Sequence, residues 1–276
     1  MGMDEETVCT PLISVIMGVY NCANTLREAL ECIVAQTYEH WELVICDDGS
    51  TDDTYELARA FAEEHPHQTI LIRNACNMGL NHTLNRCLAV ANGEFIARMD
   101  GDDLCSPDRF EKEIRTLLDN PSMAIVSTNM LLFDEQGVWG RTNVKEFPEP
   151  EDFIHTTQFC HAACMVRHEA FVAVHGYTES SKLLRVEDYH LWIKMYELGY
   201  RGMNIQDALY QMRDDRNAQS RKKFRYRLNE AHVKALAIRR FHLPFYNYVY
   251  CLKPIAIGLL PGKIYRWYHR RKAGAE

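Results

Sequence analysis

The densest chemistry in the chain lies in Glu94 to Arg109, EFIARMDGDDLCSPDR, where an apolar run delivers Asp100, Asp102 and Asp103 to a turn. Three acids this close repel one another, and a counter-charge between them relieves the repulsion. Gly101 lets the backbone bend sharply, so the Asp100 and Asp102 carboxylates can converge on one hard cation such as Mg2+ or Mn2+. A solvated acidic turn is the plainer alternative. Ser106, Pro107 and Asp108 suit the cap, first turn and positive end of a helix that follows. Further candidates are Asp47 and Asp48 after WELVIC, His161 at the head of HAACMVR, and Glu187 with Asp188 before YHLW.

Such residues need elements to hold them. Pro11 to Tyr20 (PLISVIMGVY) is a near-continuous apolar run with β-branched members, the pattern of a strand buried on both faces of a parallel sheet. After a turn at 21–24, Leu26, Ala29, Leu30, Ile33 and Val34 recur at helical spacing, and Trp41 to Cys46 forms a second strand. Ser50 or Thr51 can cap the next helix, running to about Glu64, while Asp47 reads as a turn cap. A third strand at Thr69 to Arg73, a helix from Leu80 to Ala91 and a fourth strand at Glu94 to Met99 complete the repeat. In open α/β sheets ligands collect at the carboxyl ends of strands, so Tyr20 and Asn21, Asp47 and Asp48, and Asp100 to Asp103 face one crevice. Beyond it the pattern predicts a strand at 124–133, a turn at 134–140 and a polar break at 148–152. A helix from Glu187 follows, closed by Gly199, that buries Leu191, Ile193, Met195 and Leu198.

A length of 276 residues with 47% hydrophobic content suits one main domain plus an appendage. Met1 to Thr10 carries three acids rather than an apolar run, so a cytoplasmic location is expected. The ten cysteines are scattered without a CxxC pair, which suits reduced thiols better than disulfides or zinc. Neither GxGxxG nor GxxxxGK[ST] occurs, which argues against a dinucleotide dehydrogenase or a P-loop enzyme. The net charge of −7 is split unevenly: residues 221–276 hold 14 Lys and Arg against two acids, leaving −19 on the rest.

The segments VYNCANTLREALECIVAQTYEHWELVICDDGSTDDT, NMGLNHTLNRCLAVANGEFIARMDGDDLCSPDRFEKE and VEDYHLWIKMYELG closely resemble the inverting glycosyltransferases of sequence family 2. The likeness covers roughly residues 11–213. It implies the GT-A fold, an α/β architecture with a mostly parallel sheet flanked by helices, over residues 1–216. The nucleotide-binding half falls at about 11–106 and the acceptor half at about 107–216. By that resemblance Tyr20, Asn21, Asp48 and Asn77 hold the nucleotide base, with Asp48 accepting from a uracil imide N–H. Asp100 lies near the ribose and Asp102 binds Mn2+ or Mg2+ on the diphosphate. Arg213 neutralises phosphate, and Asp188 is the general base with Glu187 beside it. HAACMVR at 161–167 resembles the family's strand that lines the sugar and acceptor cleft, and His161 and Trp192 are candidate contacts to sugar or acceptor, with core packing the plainer reading of both. The pattern departs from the family at Gly18 and Val19, where Pro and Thr are common, and at Asp215, where relatives often carry a histidine.

The expected activity is therefore hexosyl or N-acetylhexosaminyl transfer from a UDP-sugar to a glycan or lipid-linked acceptor in cell-surface polysaccharide or glycolipid synthesis. The alternative is a catalytically weak, nucleotide-binding partner recruited to a glycan-assembly complex at the membrane. Residues 217–276 read as a basic, aromatic-rich helical C-terminal extension, too short and too interrupted to span a bilayer. It suits an anionic membrane surface, or packing on its own domain or on a second copy in an oligomer. Nucleic acid is not expected, since no reading motif accompanies the charge.

Overall fold

The computed structural model describes residues 10–214 and 224–259. Its centre is β1 (Ile13–Val19), whose residues are buried almost without exception because helices cover both faces of the sheet. Parallel to it run β2 (Trp41–Asp47) on one side and β4 (Phe95–Arg98) on the other, with β3 (Thr69–Arg73) at the edge beyond β2. The connections are α1 (Leu26–Val34), α2 (Thr54–Glu64) and α3 (Leu80–Leu88). In α1 the buried Leu26, Ala29, Leu30 and Ile33 form one stripe, while Val34 turns to solvent.

The second half adds β5 (Leu104–Cys105), α4 (Arg109–Asp119), β6 (Ile125–Asp134), β7 (Gly137–Arg141), β8 (Met165–Arg167) and α5 (His168–Ala173). It then closes with α6 (Glu187–Glu197) and β9 (Gly202–Arg213). The sheet order is β3-β2-β1-β4-β8-β6-β9-β5, with β7 hydrogen-bonded to β6. Beside the parallel β1–β4 half, β6 and β9 are parallel, whereas β8 is antiparallel to both β4 and β6. One face of the sheet packs Val15, Met17 and Ala97 on α1 and α4; the other packs Ile16, Val44 and Ile96 on α3, α5 and α6. Each fully buried aliphatic side chain of this kind contributes about 1.5–3 kcal/mol.

Several expectations are corrected. Ser50 and Thr51 do not cap α2, which starts at Thr54 after Asp53; they bond to Asn21 instead. The turn expected at 134–140 shrinks to Glu135 and Gln136, since Gly137 at φ +104° begins β7. The strand expected from His161 begins only at Met165, because residues 161–163 coil into a 3-10 turn. Leu198 lies past the end of α6 and is 57% exposed rather than buried. The nine described cysteines are free.

The C-terminal segment holds α7 (Phe224–Arg240), a 3-10 helix at Phe245–Cys251 and α8 (Leu252–Gly258). Val233 and Ala237 of α7 join the core shared by α6. The Lys234 ammonium is buried and donates to the carbonyls of Ile154, at 3.0 Å, and His155, at 2.6 Å. Residues 217–223 and 260–276 of the expected extension, and Asp215, lie outside the described residues.

Candidate active site

At the carboxyl ends of β1 and β2 two loops are tied together. The Asn21 amide, at φ +49°, donates to Ser50 Oγ at 3.0 Å, the Cys22 amide to Thr54 Oγ1 at 2.8 Å, and Asn21 Oδ1 accepts from the Thr51 amide at 2.9 Å. Asp47 is fully buried and accepts from the Ser50 amide and from Arg73 Nε. Gly49 sits at φ +71°, and a Cβ there would stand 2.6 Å from the carbonyl carbon of Cys76, so the turn admits only glycine.

Asp48, 3% exposed, is the hub of the base-side loop. Its Oδ1 accepts from Asn74 Nδ2 at 2.7 Å and from the Met78 amide at 2.8 Å, and its Oδ2 accepts from the Gly79 amide at 2.9 Å. A carboxylate offers about four lone-pair positions, so one on Oδ2 is left for a ligand donor. Tyr20, 46% exposed, stands at the rim, and Asn77 is exposed on the same loop.

Across the crevice, one carboxylate oxygen from each of Asp100, Asp102 and Asp103 lies within 4.8 Å of the others. Gly101 works here by close approach: a Cβ would meet Val19 Cγ1 at 2.9 Å and Cys22 Sγ at 3.0 Å. Asp103 is buried and accepts from Tyr210 OH at 3.0 Å and from the Arg213 amide at 2.7 Å. Burial, then the charges of Asp100 and Asp102, push its carboxyl up to about 8. With Asp103 so occupied, Asp100 and the exposed Asp102 are the pair best placed to hold a cation, and an all-oxygen carboxylate set fits Mg2+ or Mn2+. Asp100 is itself oriented by Arg98, buried beneath it, whose Nη2 lies 2.6 Å from Asp100 Oδ1. The Arg213 guanidinium donates to the Asp102 carbonyl and to Glu28, so it braces the acidic turn.

The third group stands at the start of α6. Asp188 Oδ2 accepts from Thr157 Oγ1 at 3.3 Å, and burial followed by the neighbouring Glu187 charge push its carboxyl up to about 6. Glu187 Oε2 is buried and has no hydrogen-bond partner among the described residues. His161 Nε2 lies 2.8 Å from Tyr177 OH, and burial with the Arg98 charge hold the imidazole well below its usual range, so it is neutral. Burial pushes the Tyr177 hydroxyl up well above its usual range, with smaller contributions from Cys164, Arg98 and Asp188. Trp192 is a correction: it is 0% exposed, with Phe159 edge-on at 5.5 Å, so its ring has no face to offer a sugar.

The sequence model of Glycosyl transferase family 2 matches residues 14–174. The chain belongs to this family. Its similarity to the putative glycosyltransferase EpsE of Bacillus subtilis (strain 168) is 41% identity over 262 residues, 95% of this chain and 94% of that protein. This family 2 glycosyltransferase is also 26% identical over 234 residues to the UDP-Glc:alpha-D-GlcNAc-diphosphoundecaprenol beta-1,3-glucosyltransferase WfaP of Escherichia coli, across 84% of this chain and 89% of that one. In fold it resembles the mannosyltransferase PcManGT of Pyrobaculum calidifontis, solved in complex with GDP-Man and Mn2+. The TM-score is 0.62 at 22% identity, covering 97% of this chain and 74% of that one. The GT-A architecture expected from the motifs is thus present.

Four positioning residues escaped sequence reading. Asn74 and Tyr210 each serve an acid far away in the chain, Asn74 reaching Asp48 and Tyr210 reaching Asp103. Arg98 and Thr157 hold Asp100 and Asp188. Only Arg98 carried a signal, as a charge inside an otherwise apolar strand.

Proposed function

We propose that this glycosyltransferase moves a sugar, with inversion, from a UDP-linked donor to a hydroxyl of a lipid-linked or glycan acceptor in polysaccharide assembly. The observation that carries the reading is the acidic cluster after β4, where one oxygen from each of Asp100, Asp102 and Asp103 lies within 4.8 Å of the others, in a chain whose second acidic pair, Glu187 and Asp188, opens α6. On the donor side, the free lone pair of Asp48 Oδ2 accepts the uracil N3–H, Tyr20 covers the base at the rim, and Asn21 and Asn77 flank it. Asp100 and Asp102 would hold Mn2+ or Mg2+, which neutralises the charge that builds on the departing β-phosphate. The names of WfaP, with a UDP-sugar and a diphosphoundecaprenol acceptor, and of PcManGT, with Mn2+, support these choices.

A sugar hydroxyl is a poor nucleophile at neutral pH. Asp188 therefore takes its proton as the oxygen attacks the anomeric carbon, and the electron pair of the breaking C1–O bond leaves with UDP. Thr157 fixes the rotamer of Asp188, and Glu187, with an unpartnered oxygen, receives an acceptor hydroxyl. Neutral His161, bonded to Tyr177, lines the sugar side.

The test is transfer from a panel of UDP-sugars to short polyprenyl-diphosphate-linked sugars, comparing the wild type with Asp188→Asn. A loss of transfer with UDP binding intact supports the assignment. Unchanged transfer removes Asp188 from the chemistry, and UDP binding without transfer by the wild type favours a nucleotide-binding partner role.

A further inference from the structure

The last described segment carries an apolar surface that no described residue covers. Tyr246, Val249 and Leu252, three apart along the 3-10 helix into the start of α8, share one face and are exposed, as are Phe245, Ala256 and Leu259. Phe245 is 85% exposed, Val249 60%, Leu252 61% and Leu259 72%, with Tyr246 at 74% beside them. The opposite side is anchored: Asn247 and Pro254 are buried, Tyr250 packs edge-on against His155 at 4.7 Å, and Gly258 lies against Phe224 and Arg227 of α7. Phe224 and Leu228 of α7 are also half-exposed. A row of large apolar and aromatic groups on one outward face is an interaction surface, not scatter.

We propose that this face docks the enzyme on an anionic bilayer leaflet. Charge decides the occupant. Lys253 is exposed on α8 and Arg225 and Arg239 on the neighbouring α7, and residues 221–276 carry a net +12. Anionic lipid attracts such a segment, with aromatic rings resting at headgroup depth. A second copy meeting this face symmetrically would set one net-positive segment against another. No helix among the described residues is long and apolar enough to cross a membrane, so the contact is interfacial.

The segment is fastened to the stretch that holds the candidate base, with Tyr250 packed on His155. The Lys234 ammonium holds the carbonyls of Ile154 and His155, and Thr157, two residues on, donates to Asp188. Docking here holds the enzyme at the leaflet in which a lipid-linked acceptor sits. This deepens the proposed function and rests on it only for the identity of that acceptor.

The test is co-sedimentation of the full chain with phosphatidylcholine vesicles and with vesicles containing about 30% phosphatidylglycerol, a composition chosen at roughly physiological anionic content. The variant is Phe245→Ser, Val249→Ser and Leu252→Ser combined, with unfolding temperature and Mn2+-dependent UDP binding as fold controls. The wild type should bind the anionic vesicles, less so at high salt, and the variant should bind at least about tenfold more weakly with both controls unchanged. Three outcomes overturn the proposal: no binding by the wild type, equal binding by the variant, or sedimentation showing a wild-type dimer that the variant converts to monomer. Vesicle binding needs no catalysis, so a wild type that binds vesicles but fails to transfer sugar sinks the proposed activity and leaves the docking surface standing.

Discussion

At the scale of the residue, Asp188 must be ionised to accept a proton, and its carboxyl stands at about 6. The rate of transfer should therefore rise with pH through about 6 and level off above, a limb read from a pH–rate profile under saturating substrates. Asp188→Asn should cost about 10²–10⁴-fold in kcat. Its effect on stability has a definite sign. A carboxyl raised from 3.8 in the unfolded chain to about 6 when folded favours the native state at low pH and loses that benefit as pH rises through 6. The wild type should thus lose stability relative to Asp188→Asn between about pH 4 and 7, as read by chemical unfolding at several pH values; a gap independent of pH contradicts the burial of this group. For Trp192 the plainer of the two readings, core packing, is what the fold shows: α6 turns it inward onto Phe159, and the sugar contact falls away.

At the scale of the element, loops at strand ends are held by small sets of long-range hydrogen bonds. Asn74→Ala leaves Asp48 without its side-chain donor and Thr83 without a partner across the loop, so it should cost about 1–3 kcal/mol and weaken UDP binding. Thermal unfolding and calorimetry read the two effects. Gly49→Ala should be worse than an ordinary loop change, since it combines a positive φ with a backbone clash. The strands β1 to β4 were legible because parallel strands covered on both sides must be continuous apolar runs. The shorter antiparallel pieces were not. Only three residues of β8 pair with β4, too few to print a period, and β7 lies exposed at a sheet edge where no apolar pattern is required. Acids were legible as motifs, while Asn74, Tyr210 and Thr157 were invisible because their partners are distant in sequence.

At the scale of the whole molecule, an acidic catalytic body carries a basic terminal segment, and the structure fastens part of that segment down with one buried lysine. Lys234→Met keeps the apolar stem but strands two carbonyls, so unfolding should become easier by about 1–3 kcal/mol. If α7 were a detachable appendage, the unfolding midpoint would not move. The charge asymmetry was readable from composition; the fastening was not, since a lysine is almost never fully buried.

The central claim, that the crevice binds a uridine nucleotide through a cation held by Asp102 and Asp100, is met most directly by calorimetric titration of the full chain with UDP, with and without Mn2+. GDP and CDP serve as controls, and Asp102→Asn as the variant. The expected result is Mn2+-dependent binding selective for UDP, lost in Asp102→Asn. Binding that ignores both the cation and the variant, or no UDP binding by folded protein, would contradict the assignment of the acidic turn and of Asp48.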